Sequence, residues 1–322
     1  MLDKPLWMWG VFIGIVIILL VFDLGVLHRK SKEITIKESL WMSLFYITIA
    51  SLFGGWVWFE LGAQSGKEYF TGFIVEKTLA MDNVFVISLV FTYFAIPRSY
   101  QHRVLFWGIL GVIILRGIMI GLGAALVAEF AWVLYLFAIF LIITGVKMFF
   151  MVDDTPDISK NPILKLLRKH LRITPELHGE KFMVRLPDEK TPGKKVNWFT
   201  PLFIALILVE FVDVIFAVDS VPAIFAITKD PYIVYTSNIF AILGLRALYF
   251  ALAAIVHRFK YLKYALAVVL VFIGSKIFIA DLMGLEKFPP AISLSVTIGL
   301  IAAGILYSLY KTKGQSFTHE AK

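Results

Sequence analysis

The stretch "LVEFVDVIFAVDSVP", residues 208–222, decides how the chain folds. Leu, Val, Ile and Phe fill most of it, as in a helix that sits in hydrocarbon, yet Glu210, Asp213 and Asp219 stand among them. A carboxylate at the centre of a membrane helix costs roughly 2.5–3.5 kcal/mol, so three cost roughly 7.5–10.5 kcal/mol. The apolar residues of 201–227 return about 0.3–0.6 kcal/mol each, which roughly offsets that sum. The segment is marginal alone, and its acids must be paired, protonated or solvated inside a helical bundle.

The surrounding chain has the same grain. Of 322 residues 59% are hydrophobic and only 17% charged, where a soluble domain has about a quarter charged. Apolar runs of about 20 residues recur, the length that crosses a hydrocarbon core. The fold class is therefore an all-α polytopic membrane protein. Nine spans are predicted, near 7–27, 39–60, 69–95, 103–122, 130–150, 201–227, 237–256, 262–280 and 289–309. The first has no small-residue cleavage site and is read as a retained helix rather than a signal peptide.

Basic residues set the orientation, because Lys- and Arg-rich loops stay cytoplasmic. Most of the 31 Lys and Arg fall after spans 1, 3, 5 and 7 and in the C-terminal tail. The alternate loops and the N-terminus carry only Lys4, Lys67, Lys229 and Lys287. This predicts the N-terminus outside and the C-terminus inside, in a bacterial inner membrane. The pI near 9.4 is thus topology rather than a sign of nucleic-acid binding. The one long loop, 151–199, contains "PILKLLRKHLR" (162–172), whose spacing predicts an amphipathic helix on anionic lipid. "DDTPD" (153–157), His170 and His178 are weaker signals of sensing. Trp7, Trp9, Trp56, Trp58 and Trp132 read as interfacial anchors, and "GIMIG" (117–121) as helix packing.

A repeat lies within the spans. "EKTLAMDNVF" (76–85) aligns with "DVIFAVDSVP" (213–222), placing Glu76 on Asp213, Asp82 on Asp219 and Asn83 on Ser220. "GVIILR", ending at Arg116, answers "LGLR", ending at Arg246, and "YLFAIFLIITGVK" (135–147) lies over "YALAVVLVFIGSK" (264–276). Spans 3–5 and 6–8 thus form two copies of a three-helix unit. An offset of three spans makes their orientations opposite. Such an inverted repeat places a transport site near the midplane, at the interface of the halves. The chain then divides into 1–68 (spans 1–2), 69–150 (first repeat), 151–199 (cytoplasmic loop), 200–281 (second repeat) and 282–322 (span 9 and tail).

Glu76 and Asn83 share one helix face, as do Asp213 and Ser220; Glu210 neighbours Asp213. Asp82 and Asp219 fall off that face, and Pro222 predicts a local unwinding that turns Asp219 inward. These residues make a ring of oxygen ligands suited to a hard divalent cation, Mg²⁺, Ca²⁺ or Mn²⁺. The chain has no cysteine, which excludes thiol chemistry, and none of these spans holds a histidine. Asp23, Arg116, Arg246, Lys147 and Lys276 form a supporting charge network. The competing view is that the acids simply pair with these bases and Lys77. With no nucleotide-binding motif, export against the membrane potential must draw on an ion gradient, and protons are the expected counter-ion.

These stretches, with "FDLGVLHRK" (22–30), "GFIVEKTLAMDNVFV" (72–86), "ILRGIMI" (114–120) and "SNIFAILGLRALYF" (237–250), resemble the TerC family of integral membrane proteins, most closely its Alx-like members. The resemblance implies manganese export, a link to alkaline pH and, by the family's name, to tellurium resistance. It places the ion path at Glu76, Asp82, Asn83, Asp213 and Asp219, with Glu210 and Ser220 beside them. No resident cofactor is expected beyond transported Mn²⁺, and the partners are the cation, protons and lipids, not nucleic acid. Nor is an enzyme expected. An intramembrane aspartyl protease lacks its Gly-x-Gly-Asp motif here. An anion or lipid-phosphate transporter clamping through Arg116 and Arg246, and a non-transport scaffold, are the alternatives.

Overall fold

A computed structural model describes residues 4–25, 35–130, 132–150, 158–188, 191–252, 261–285 and 288–312. Within them the side chains of 24, 25, 81, 82, 85, 188, 191–194, 219 and 246 lie outside the description. In chain order the helices are α1 (Leu6–Gly25), α2 (Ile36–Tyr93), α3 (Arg98–Glu129), α4 (Val133–Phe150), α5 (Pro162–His170), α6 (Pro201–Ile227), α7 (Pro231–Leu243), α8 (Leu245–Leu252), α9 (Leu262–Leu282) and α10 (Pro290–Lys311). The protein is an all-α membrane protein. Among the described residues, seven helices are long and apolar enough to cross a bilayer: α1, α2, α3, α4, α6, α9 and α10.

Seven differs from the nine predicted spans for two physical reasons. The first is α2, whose 58 residues at about 1.5 Å each span roughly three times a hydrocarbon core. It doubles back at Gly62, whose φ of 89° and ψ of 166° suit a residue without a Cβ. Tyr69 Oη donates to the Ala50 carbonyl at 2.9 Å, and the Phe53 and Tyr69 rings lie 5.8 Å apart. These contacts need antiparallel arms. The arms carry the predicted spans 2 and 3, and the polar stretch expected as a loop over 61–68 shrinks to a turn at Gly62. The start of α2 is written locally: Thr35 Oγ1 accepts from Glu38 N at 3.3 Å while Glu38 Oε2 accepts from Thr35 N at 3.0 Å, a capping box. The second reason is span 7, which breaks at Gly244 into α7 and α8, each shorter than a crossing.

Helices α4 and α9 pack through glycines. A Cβ at Gly145 would lie 2.6 Å from the Ala267 carbonyl oxygen and 2.8 Å from Val271. One at Gly274 would lie 2.6 Å from the Ala138 carbonyl oxygen and 2.9 Å from Ile142.

Two expectations are corrected. Pro222 does not unwind α6, which stays helical from Pro201 to Ile227. Proline withholds a single N–H, and the buried Val221, Ala223, Ile224 and Phe225 hold the turn in place. The 151–199 loop, of which 151–157 lies outside the described residues, is more than a surface helix. The predicted helix forms as α5, capped by Asn161 Oδ1 accepting from Ile163 N at 2.9 Å. Its Leu164, however, is buried in a cluster with Phe91, Leu202 and Ile204, so this face packs on protein rather than on lipid. An antiparallel hairpin follows, β1 (Met183–Asp188) and β2 (Thr191–Phe199), with Val184 opposite Trp198 and Leu186 opposite Val196. The alternation of Val184 and Leu186 on β1 is the sequence signal for this hairpin, masked by the basic charge around it.

Candidate ion site

Arg116 on α3 is 1% exposed, and it is the hub on which four helices converge. Its Nε and Nη2 donate to the two oxygens of Asp213 on α6 at 3.0 and 2.9 Å, a bidentate fork. Its Nη1 donates to the Glu76 carboxylate on the second arm of α2, to Ser220 Oγ at 3.1 Å, and to Asn238 Oδ1 on α7 at 3.3 Å. Asn83 Nδ2 donates to Asp213 Oδ1 at 3.3 Å. The seven-residue spacing puts Glu76 with Asn83, and Asp213 with Ser220, each on one helix face; Glu76, Asp213 and Ser220 meet at the guanidinium, and Asn83 joins them through Asp213. Helical propensity cannot hold a buried charge. The ion pairs and their extra hydrogen bonds do so here.

Lone pairs remain. Glu76 Oε2 and Asn83 Oδ1 are buried with no hydrogen-bond partner among the described residues, as is Asn238 Nδ2. Glu76, Asn83, Arg116 and Ser220 line a cavity of about 60 Å³ whose apolar wall includes Leu79 and Leu270. That is room for a few water molecules. The arrangement offers acidic and neutral oxygens beside a fixed cation.

The other expected residues distribute differently. Glu210, one turn before Asp213, does not join the guanidinium. Its carboxyl lies against α3, where a Cβ on Gly111 would come within 2.5 Å of its carboxyl carbon. Glu210 Oε2 has no partner among the described residues. Asp82, Asp219 and Arg246 lie on α2, α6 and α8, and their side chains fall outside the described residues. Among the described residues no three His, Asp or Glu are grouped to hold a metal. The described part of the candidate site is thus two carboxylates with Asn83, Ser220 and Asn238.

Of the supporting network, Asp23 is buried on α1, and Lys276 is buried with Nζ donating to Ser293 Oγ of α10 at 3.2 Å. Lys147 is exposed in the last turn of α4, so it stands apart from the cluster. Sequence reasoning missed two roles. Asn238 opens the stretch "SNIFAILGLRALYF" (237–250) with Ser237, and that polar pair in an apolar run was the available signal. Lys77 donates from Nζ to the Ala241 carbonyl at 3.2 Å. It serves the end of α7, where the break at Gly244 leaves carbonyls without helical partners.

Comparison with known proteins gives a consistent result. A family model described as "Integral membrane protein TerC family" matches residues 61–316. An "Uncharacterized membrane protein" of Rickettsia bellii is 52% identical over 303 residues, covering 94% of this chain and 97% of the relative. A "Putative membrane-bound redox modulator Alx" of Salmonella typhi is 44% identical over 312 residues, covering 94% of each chain. No solved structure matches.

Proposed function

The chain belongs to the TerC family of integral membrane proteins, and on that premise we propose that it is a secondary transporter exporting a divalent metal cation, Mn²⁺ above all, in exchange for protons. One observation carries this reading. Glu76 and Asp213, equivalent residues of the two sequence repeats, meet at Arg116 beside a small cavity lined by Glu76 and Asn83, each with one oxygen that lacks a partner among the described residues. Buried charge is costly in a membrane and marks ion pathways.

The packing of α4 on α9 supports reading the two halves as an inverted repeat. In the sequence alignment Gly145 answers Gly274 and Ala138 answers Ala267. Gly145 packs on Ala267 while Gly274 packs on Ala138, the exchange that a two-fold relation requires. The nine-span reading treats the arms of α2 as two crossings and α7 with α8 as one broken crossing. Discontinuous helices line the cargo sites of secondary transporters, and here the break at Gly244 belongs to one half alone, since α3 runs unbroken from Arg98 to Glu129. The distribution of Lys and Arg supports an inner-membrane protein with its N-terminus outside.

In this arrangement Arg116 acts as a tethered cation that holds Glu76 and Asp213 when no cargo is bound. An arriving dication competes with the guanidinium for the same oxygens. Among the described residues the polar donors are oxygens, with neither thiolate nor imidazole beside them and the Met148 thioether as the sulfur on the cavity wall; oxygen ligation favours a hard ion. Moving a dication outward costs about 4.6 kcal/mol per 100 mV of inside-negative potential, which proton influx can supply. Anion transport is less well supported, because all three nitrogens of Arg116 already donate to protein oxygens. The word redox in the name of the Salmonella relative does not translate into thiol chemistry here, since the chain has no cysteine.

The test is Mn²⁺ uptake into proteoliposomes under a pH gradient. Wild type is compared with Glu76→Gln, Asp213→Asn, Asp82→Asn and Asp219→Asn, at equal protein level. Uptake in the wild type that is lost in the variants supports the proposal. A wild type that moves no divalent cation, or variants that match it, would overturn the proposal and leave Glu76 and Asp213 as structural partners of Arg116.

A further inference from the structure

A second site lies away from Arg116, where the α5 and β-hairpin unit meets the ends of α2 and α6. A cleft of about 880 Å³ opens there, within the size range of small-molecule sites. Arg168 and Arg172 line it, with Trp198 of the hairpin, and among the described residues none that lines it is acidic. Arg168 Nη2 donates to Tyr93 Oη at 3.3 Å, which positions the guanidinium at the end of α2. Trp198 Nε1 is buried with no hydrogen-bond partner among the described residues. A buried N–H of this kind costs free energy unless something accepts from it. Beside the arginines the wall is apolar, with Phe94, Leu171 and Ile173 half-buried along it.

Two guanidinium groups and an indole N–H above an apolar wall match an anion carried on a hydrocarbon body. Arginine is the side chain suited to a phosphate, binding it with paired N–H donors. The cleft also sits where the chain carries its largest concentration of basic residues, the side that faces anionic lipid. We propose that this cleft binds the phosphate headgroup of an anionic phospholipid, held by Arg168, Arg172 and Trp198 Nε1. Tyr93 ends the helix that carries Glu76, and Ile204 lies in the first turn of the helix that carries Asp213. A lipid seated there bridges the ends of both elements of the candidate ion site. The assignment does not depend on what that site transports.

The experiment uses the full-length protein in neutral detergent and counts bound lipid by native mass spectrometry, titrating phosphatidylglycerol against phosphatidylcholine. The wild type is expected to retain phosphatidylglycerol preferentially. Arg168→Gln/Arg172→Gln is expected to lose about tenfold or more in that preference, the scale of one or two charge-assisted hydrogen bonds, and Trp198→Phe a smaller part. Lys165→Gln/Lys169→Gln removes equal charge from exposed positions on α5 that do not line the cleft, and is expected to leave the preference intact. Millimolar inorganic phosphate is expected not to displace the lipid. Equal loss in the lysine and arginine pairs would reduce the effect to general surface charge and overturn the proposal. So would displacement by phosphate, or a wild type without preference. Elution as a monodisperse peak checks that each variant is folded.

Discussion

Removing Arg116 takes from two buried carboxylates, Glu76 and Asp213, the base that pairs with both. Breaking a buried pair by deleting one partner costs about 3–5 kcal/mol. Arg116→Gln is therefore expected to lower the thermal stability of the detergent-solubilised protein by that order. Arg116→Gln/Asp213→Asn should recover part of the loss, because the second change removes one stranded charge. Equal stability of the single and double variants would show that the pairing is not what Arg116 contributes, and a double-mutant cycle measures the difference. The chemistry of this cluster was legible residue by residue: the spacing of Glu76 with Asn83 and of Asp213 with Ser220 announced two polar faces. That Arg116 would sit between them was not legible, because choosing among Lys77, Arg116, Arg246, Lys147 and Lys276 needs the depth and tilt of each helix. Exposure settles it for Lys147, whose aligned counterpart Lys276 is buried.

At the scale of elements, α4 and α9 touch backbone to backbone. A methyl at Gly145 or Gly274 meets a carbonyl oxygen at 2.6 Å, a neighbour that cannot rotate away. Gly145→Ala and Gly274→Ala are each expected to cost about 1–3 kcal/mol, as overpacking does, and to cost similar amounts because each glycine meets the equivalent atom. Unequal losses in thermal melts would break that equivalence. The ends of α2 and α9 invite a second comparison. Both finish in the same double hydrogen bond, Ile96 N to Phe91 O with Ala95 N to Thr92 O, and Leu285 N to Ala280 O with Gly284 N to Asp281 O. This is the Schellman motif, which wants glycine at the left-handed position. Helix α9 has Gly284 at φ 65°, whereas α2 has Ala95 at φ 48°. Ala95→Gly is expected to stabilise by about 0.5–1 kcal/mol after the unfolded-state entropy of glycine is deducted, seen as a raised melting temperature. Hydropathy located most of these elements because lipid demands long apolar runs. It misplaced the breaks, since a polar stretch near 61–68 looks like a loop whether or not the backbone stays helical through it.

For the whole molecule the prediction is about sides. The chain has no cysteine, so a single introduced thiol reports its own location. Lys229→Cys, beyond the end of α6, is expected to react with a membrane-impermeant maleimide in intact cells, and Lys169→Cys on α5 only after the membrane is opened. The reverse result would invert the proposed topology. Charge bias in the loops was readable from composition alone, but the docking of α5 and the hairpin onto the helix ends was not. It depends on tertiary contacts of Leu164 that no local pattern carries. The separations along the chain within the Arg116 cluster also set an order in time. Glu76 is made first and Arg116 follows 40 residues later, whereas Asp213 trails Arg116 by a further 97. The leading half of the polypeptide thus leaves the ribosome with its acid already matched by a base, and can settle in the bilayer as a neutral pair. The trailing half brings a carboxylate whose partner is already in place, so a C-terminal fragment synthesised alone is the piece expected to stall at the translocon and be degraded.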